Sequence, residues 1–325
     1  MIRHRTHHKG ITTVATLICG SLAYDNIMTF EGCFREHILP DQVHILNVSF
    51  LVPSMRREFG GCAGNIAYGL KMLGGEPLIM ATLGEIDAQR YLERFDSLDI
   101  RRDCVCVVPG THSAQAMITT DQENNQITAF HPGAMLMSHL NRVSDARDVT
   151  LGIVAPDGPQ GMCEHAEQFA QQNIPFMLDP GQQLPILDGA QLRHMIELAN
   201  YVAVNDYEAK LLSEKTGWSI TDISSRVDAL IITLGAQGAA IHHRNGVDAI
   251  PVVPAEQIVE PTGCGDAFRS GLLYGIENDL DWATTGRLAN LMGSIKIAHR
   301  GPQAYTLSRL EIDRRFEAAF SYSLS

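Results

Sequence analysis

Short apolar runs and stretches of helical spacing take turns along most of this 325-residue chain. Residues 16–20, 78–83, 149–155, 175–179, 201–204 and 229–234 are brief and nearly continuously apolar, as strands buried on both faces are. Between them, residues 65–73, 88–98, 162–172, 190–200 and 207–215 repeat apolar positions at three and four, which predicts helices. The first of these runs into Gly74-Gly75, a helix stop. Strands joined by helical crossovers predict an α/β fold: a mainly parallel sheet covered by helices on both faces. Three helical stretches, 267–277, 282–299 and 309–320, close the chain.

Two regions break that rhythm. Residues 27–30 and 43–52 are strand-like, and so are 104–108, 115–120 and 126–130, with the polar Asp121-Gln122-Glu123-Asn124-Asn125 as a turn. A small sheet from about residues 27–58 and 104–131 is expected to project as a lid over the carboxyl ends of the main strands, where open α/β sheets hold their ligands. Residues 16–325 then form one domain. Residues 1–15, basic and without an apolar signal core, are expected to be a disordered extension whose His4, His7 and His8 lack the context of a metal site.

Composition narrows the function. A formal charge of −12 argues against a nucleic-acid partner. No apolar run approaches the ~20 residues of a membrane span, so no membrane partner is expected. Seven cysteines without a C-x-x-C pair suit reduced thiols and a cytoplasmic location. In so acidic a chain a phosphate must be held locally, by backbone donors and a metal ion.

Pro261-Thr262-Gly263-Cys264-Gly265-Asp266-Ala267-Phe268 carries the most chemistry. Its glycines let N–H groups turn inward at a helix N-terminus, which favours a phosphate or a developing oxyanion. A carboxylate beside such a site repels an anion. Asp266 is therefore better explained as the acceptor of a proton from an attacking hydroxyl, with an ordinary first-turn Asp as the plain alternative. Cys264 sits where a helix N-terminus stabilises thiolate, although an inert thiol is expected.

Other residues admit two readings each. Asp25 can accept hydrogen bonds from two adjacent ribose hydroxyls, or be a turn Asp. Gly60-Gly61 allow the backbone to approach a sugar and Asn65 offers a donor and an acceptor; a glycine-rich turn followed by a helix-start Asn would look the same. Asn205 and Glu208, at i and i+3, supply hard oxygens for a metal or an N-cap. Asp179 ends a strand, and Arg269 could meet phosphate or pair with a carboxylate. Alternation puts Thr128 and Phe130 on one face of a lid strand, so the ring could pack on a flat base or fill the lid core.

Taken in order, Gly20-Ser21-Leu22-Ala23-Tyr24-Asp25, Gly60-Gly61-Cys62-Ala63-Gly64-Asn65-Ile66-Ala67, Asn205-Asp206-Tyr207-Glu208, Thr233-Leu234-Gly235-Ala236-Gln237-Gly238 and the Asp266 segment resemble the ribokinase-like PfkB sugar and nucleoside kinases, from residue 16 to about 320. Asn124-Asn125-Gln126-Ile127-Thr128, Asp179-Pro180-Gly181-Gln182, and Glu260-Pro261-Thr262 with Arg269 are most similar to archaeal nucleoside kinases and bacterial adenosine kinases. The resemblance implies a three-layer α/β/α sandwich with a β-sheet lid, and ATP and Mg2+ as cofactors, K+ being left open. It implies Asp266 as base, with Gly263, Cys264 and Gly265 supplying N–H groups. Asp25, Gly61 and Asn65 become the floor of the sugar site. Asn205 and Glu208 organise magnesium, Glu208 through water. Thr233, Gly235 and Gly238 lie along the nucleotide, and Asn290 flanks adenine. Glu260 and Cys264 depart from the family's usual Asp and small residue, which bears on the fit around phosphate. A homodimer through the lid is also an expected arrangement.

Rival functions fare worse. No G-x-x-x-x-G-K-[ST] occurs, and Gly263-x-Gly265 lies too late for a dinucleotide fingerprint. A non-catalytic nucleoside-binding protein would need no base. A kinase of ribose or a fructose derivative is the nearer alternative, because it accepts the same hydroxymethyl group. The reading is ATP-dependent phosphorylation of a nucleoside 5′-hydroxyl, adenosine first.

Overall fold

The apolar runs assemble as alternation demands: in the first strand Ile18 points into one core, and Leu17 and Cys19 point into another across the sheet. The computed structural model describes residues 14–38, 48–123 and 125–324. The expectations for residues 1–13 and 43–47 lie outside these. In chain order the elements are β1 (Ala15–Cys19), β2 (Ala23–Thr29), α1 (Phe34–His37), β3 (Ser54–Gly60), α2 (Cys62–Met72), β4 (Pro77–Gly84), α3 (Ala88–Ser97), β5 (Arg101–Val108), β6 (Ala114–Thr120), β7 (Gln126–His131), β8 (Val149–Val154) and α4 (Pro159–Gln171). They continue with β9 (Phe176–Leu178), α5 (Gly189–Leu198), β10 (Tyr201–Asn205), α6 (Asp206–Thr216), α7 (Ile220–Ser224), β11 (Ala229–Thr233), β12 (Ala239–His243), β13 (Gly246–Ile250), α8 (Cys264–Glu277), α9 (Trp282–Ile297) and α10 (Arg309–Phe320).

A nine-stranded sheet runs β13-β12-β11-β10-β9-β8-β1-β4-β5, parallel from β11 to β5. Residues of α2, α3, α8 and α9 cover one face, and residues of α4 to α7 cover the other. The sandwich expected from the periodicity is therefore present, and the lid is a separate four-stranded sheet, β3-β2-β6-β7. Among the described residues no helix is long and apolar enough to cross a membrane.

Three assignments change. Residues 104–108, expected in the lid, belong to β5, which pairs in parallel with β4 as the main sheet's edge. The short β4–α3–β5 crossover returns the chain to the same sheet, and an edge strand is half-exposed, so its alternation imitates that of a lid strand. In the described part of 43–52 there is no strand; the partner of β2 is Ser54–Gly60 instead. The antiparallel pair β12–β13, which extends the sheet beyond β11, was not expected at all, because its polar His242 and His243 dilute the apolar signal.

Candidate active site

Left-handed backbone at Gly263, φ 82°, lets the chain turn sharply into α8, and a Cβ at that position would stand 2.6 Å from Pro302. The first turn of α8 thus opens onto a cleft of about 290 Å³ at the carboxyl ends of the strands, lined among others by Asp179, Asn205, Glu208, Thr233, Gly265 and Asp266. Of the three N–H groups expected to face an anion, that of Cys264 is taken by the Pro261 carbonyl at 3.0 Å. Gly265 and Asp266 keep the unpartnered first-turn donors of a helix. A Cβ on Gly265 would meet only Arg269 Nη1, at 3.6 Å, so it is the cleft and not the packing that leaves this position bare. Burial pushes the Cys264 thiol up to about 11, outweighing the helix terminus and the nearby Lys296, so the thiol is protonated.

Asp266 stands on the third residue of α8. Burial pushes its carboxyl up to about 6, the Asp179 carboxylate adds to this, and Asn65 and Arg269 pull the other way. Asn65 Nδ2 donates to Asp266 Oδ2 at 2.8 Å, and Cys62 lines the cleft beside the same carboxylate. The Asn65 Oδ1 accepts from Gln303 Nε2 at 3.0 Å, Gln303 also donates to the Tyr91 hydroxyl at 3.0 Å, and Tyr91 donates to the Gly60 carbonyl at 2.6 Å. Both polar atoms of Asn65 are therefore engaged with protein, and what they orient is Asp266.

Asp25 lies within β2, on the lid, rather than in a turn after β1. Burial first, then the carboxylates of Glu260, Asp266 and Glu58, raise it to about 6. A Cβ on Gly60 would come within 2.6 Å of Asp25 Oδ2, so the glycine makes room for the carboxylate. Gly61, φ 85°, caps α2 with its Cα against the Ser21–Ala23 backbone. Lid register extends the site sideways. Asp25 pairs with Glu58 on one side and Ala116 on the other, and Ala116 pairs with Phe130, so all four share one face. Phe130, 52 % exposed, stands two strands from Asp25, roughly 10 Å away across the small Ala116.

The chain matches known proteins along most of its length. The family described as pfkB family carbohydrate kinase matches residues 25–309. This chain belongs to the pfkB family. A nucleoside kinase of Methanocaldococcus jannaschii is 30 % identical over 259 residues, 79 % of this chain and 85 % of the relative. A ribokinase of Lactococcus lactis is 29 % identical, over 75 % of this chain and 81 % of the relative. Among solved structures, a Burkholderia thailandensis nucleoside kinase in complex with inosine is 65 % identical, with a TM-score of 0.87, over 95 % of this chain and 99 % of that one. The chain is thus an ATP-dependent phosphotransferase that acts on an alcohol group, in the class of nucleoside and sugar kinases.

The remaining residues sit on the far side of the kinase's cleft. Asn205 ends β10 opposite Thr233 on β11. Asn205 Oδ1 accepts from Glu208 N at 2.7 Å and Glu208 Oε2 accepts from Asn205 N at 2.8 Å, a capping box that fixes both at the start of α6. Gly235 and Gly238 form the turn from β11 to β12. Asn290 Nδ2 donates to the Pro251 carbonyl at 3.0 Å and stands apart from the residues that line the cleft. Arg269 is buried, with Nε donating to Asp179 Oδ2 at 3.0 Å and Nη2 to the Ala203 carbonyl at 3.2 Å. Of its two sequence readings, the structure has the carboxylate pair. Gln303 and Tyr91 were not legible as site residues: neither lies in a motif, and each joins the site through contacts between residues far apart in the chain.

Proposed function

We propose that this kinase transfers the γ-phosphoryl group of ATP to the 5′-hydroxyl of a purine nucleoside. Asp266, with a proton affinity near neutrality, accepts the hydroxyl proton as the 5′-oxygen attacks phosphorus. The bond to the bridging oxygen of ADP breaks, and the first-turn N–H groups of α8 receive the charge on the transferring group. Asp25 accepts from the ribose hydroxyls. What carries the acceptor assignment is the lid row Asp25–Ala116–Phe130, a carboxylate and an aromatic ring on one face two strands apart, so that a ligand with hydroxyls at one end and a flat ring at the other could meet both. The Burkholderia thailandensis nucleoside kinase, also solved in complex with ADP-inosine, supports this reading.

Glu208 lines the cleft as a hard oxygen donor, but among the described residues there is no cluster of three or more metal-ligating side chains. That donor set fits magnesium held through nucleotide phosphates and water, with Glu208 and Asn205 orienting the water, and the ion would neutralise charge on the β- and γ-phosphates. A homodimer through the lid belongs to the same proposal: β7 is exposed along its length at the sheet's edge.

Steady-state assays with inosine, adenosine, guanosine, ribose and fructose 6-phosphate test the assignment. The nucleosides should exceed the sugars by roughly 10³-fold or more in kcat/KM, because a base adds stacking and hydrogen bonds. Comparable efficiency on ribose would leave a sugar kinase. Adenosine well ahead of inosine would favour the adenosine kinases over the inosine-binding relative.

A further inference from the structure

Lys296, in the last turn of α9, is 0 % exposed, and among the described residues no carboxylate lies within ion-pair reach of it. Its ammonium donates instead to two backbone carbonyls, Glu260 at 2.8 Å and His299 at 3.1 Å. An ammonium is expensive to bury without a counter-charge. Burial accordingly lowers its proton affinity, and the carboxylates of Glu260 and Asp266 partly offset that. A lysine that caps a helix C-terminus explains the bond to His299. It does not explain the bond to Glu260, which belongs to the segment that leads into the anion-binding turn.

That segment is docked on the same helix end. Val259 N and Glu260 N donate to the Ile297 carbonyl at 2.9 and 3.2 Å, and Gly301 N donates to Glu260 Oε2 at 2.9 Å. A Cβ on Gly263 would lie 3.7 Å from Lys296 Cε, so the lysine stem passes directly behind the turn. The cleft needs a cation there. Glu208 and Asp266 make it acidic, and Arg269, the other buried cation beside it among the described residues, is already neutralised by Asp179.

We propose that Lys296 is a positioning residue for phosphoryl transfer: its ammonium clamps the Glu260 carbonyl against the end of α9 and places a fixed positive charge behind the N-terminus of α8, where charge on the transferring group develops. The inference rests on the kinase reading of this cleft. A fixed charge in a water-poor region acts more strongly than one in solvent, and it needs no reorganisation as the reaction proceeds.

Two variants separate charge from clamp. Lys296→Met removes both, and Lys296→Gln keeps a donor for one carbonyl without the charge. In both, kcat should fall roughly 10- to 100-fold with nucleoside KM within about twofold of wild type, and affinity for ADP with tetrafluoroaluminate should fall in step with kcat. Lys296→Gln should recover thermal stability that Lys296→Met loses, but not the rate. A Gln variant with wild-type turnover and wild-type affinity for the fluoride complex would overturn the role of the charge. If either variant loses stability alone, Lys296 is a helix cap and nothing more. Wild-type enzyme inactive on every nucleoside and sugar would instead sink the kinase reading itself.

Discussion

Replacing Asn65 with alanine removes the largest local stabiliser of the ionised Asp266. Burial is what raises that carboxyl to about 6, and the Asn65 amide, donating at 2.8 Å, is the strongest influence against it. A hydrogen bond to a charged group contributes about 1.5–3 kcal/mol, and about 1.4 kcal/mol moves a titration by one pH unit, so the variant's base should titrate near about 7–8. At pH 7 the ionised fraction would drop from roughly nine-tenths to between about a half and a tenth, a loss of about 2- to 10-fold in kcat/KM that is regained by about pH 9. The assay is kcat/KM for the nucleoside from pH 5 to 9 at saturating ATP. Asp25 also titrates at about 6 and is pushed up by Asp266, so the wild-type acidic limb belongs to the two jointly. Repeating the series on Asp25→Ala isolates Asp266. An acidic limb that stays in place while the rate falls at every pH would refute the argument, and would return Asn65 to the sugar-binding role implied by its motif.

The other expectations are simpler. Asp266→Asn should lower kcat by roughly 10²–10⁴-fold while ADP binding measured by calorimetry survives, and near-normal turnover would remove Asp266 as the base. Gly265→Ala should leave the melting temperature almost unchanged, since its Cβ meets only Arg269 Nη1 at 3.6 Å, yet cut kcat/KM about tenfold or more by filling the cleft; an unimpaired rate would place the phosphoryl group elsewhere. Asp157 is fully buried and pushed up to about 8, with Oδ1 accepting from Gly158 N at 2.9 Å and Oδ2 unpartnered. The folded state therefore holds a proton that the unfolded chain releases near pH 4, and stability falls as pH rises from about 4 to about 8. Asp157→Asn should be more stable than wild type by a few kcal/mol in urea at pH 8, with the gap closing toward pH 4; a gap independent of pH would show that Asp157 is ionised throughout.

What could be read from the chain follows from how local each signal is. Central strands such as β1, β4 and β10 carry continuous apolar runs because both faces are buried, and their crossover helices carry a stripe, so the sandwich was legible. The edges were not. The exposure of β5 imitates a lid strand, and β12–β13 carries histidines where a central strand carries isoleucine. The glycine turn with Asp266 was legible for a related reason, since left-handed backbone and a helix start are specified within a few residues. Its finer detail was not: that the Cys264 N–H is spent on Pro261 depends on how the loop closes.

The support of the base shows the limit most plainly. Asp266, Asn65, Gln303, Tyr91 and Gly60 form one connected set of hydrogen bonds, although Asn65 and Gln303 are 238 residues apart in sequence. No periodicity marks such a set, because its members come from separate parts of the chain and contribute a single side chain or, at Gly60, a backbone carbonyl. Of the side chains that support Asp266, Asn65 alone sits in a recognisable motif, where its position near Gly61 invites a direct contact with sugar. The geometry also ties it to Asp266. With one amide N–H given to Asp266 and its oxygen accepting from Gln303, Asn65 is held against the carboxylate, and its second N–H is left for a ligand. The same reasoning separates Asp25, whose oxygens accept no hydrogen bond among the described residues, as a group left for a ligand. Two polar residues with the same implied role thus differ in their surroundings: Asn65 is tied to Asp266, and Asp25 is not tied to any side chain among the described residues.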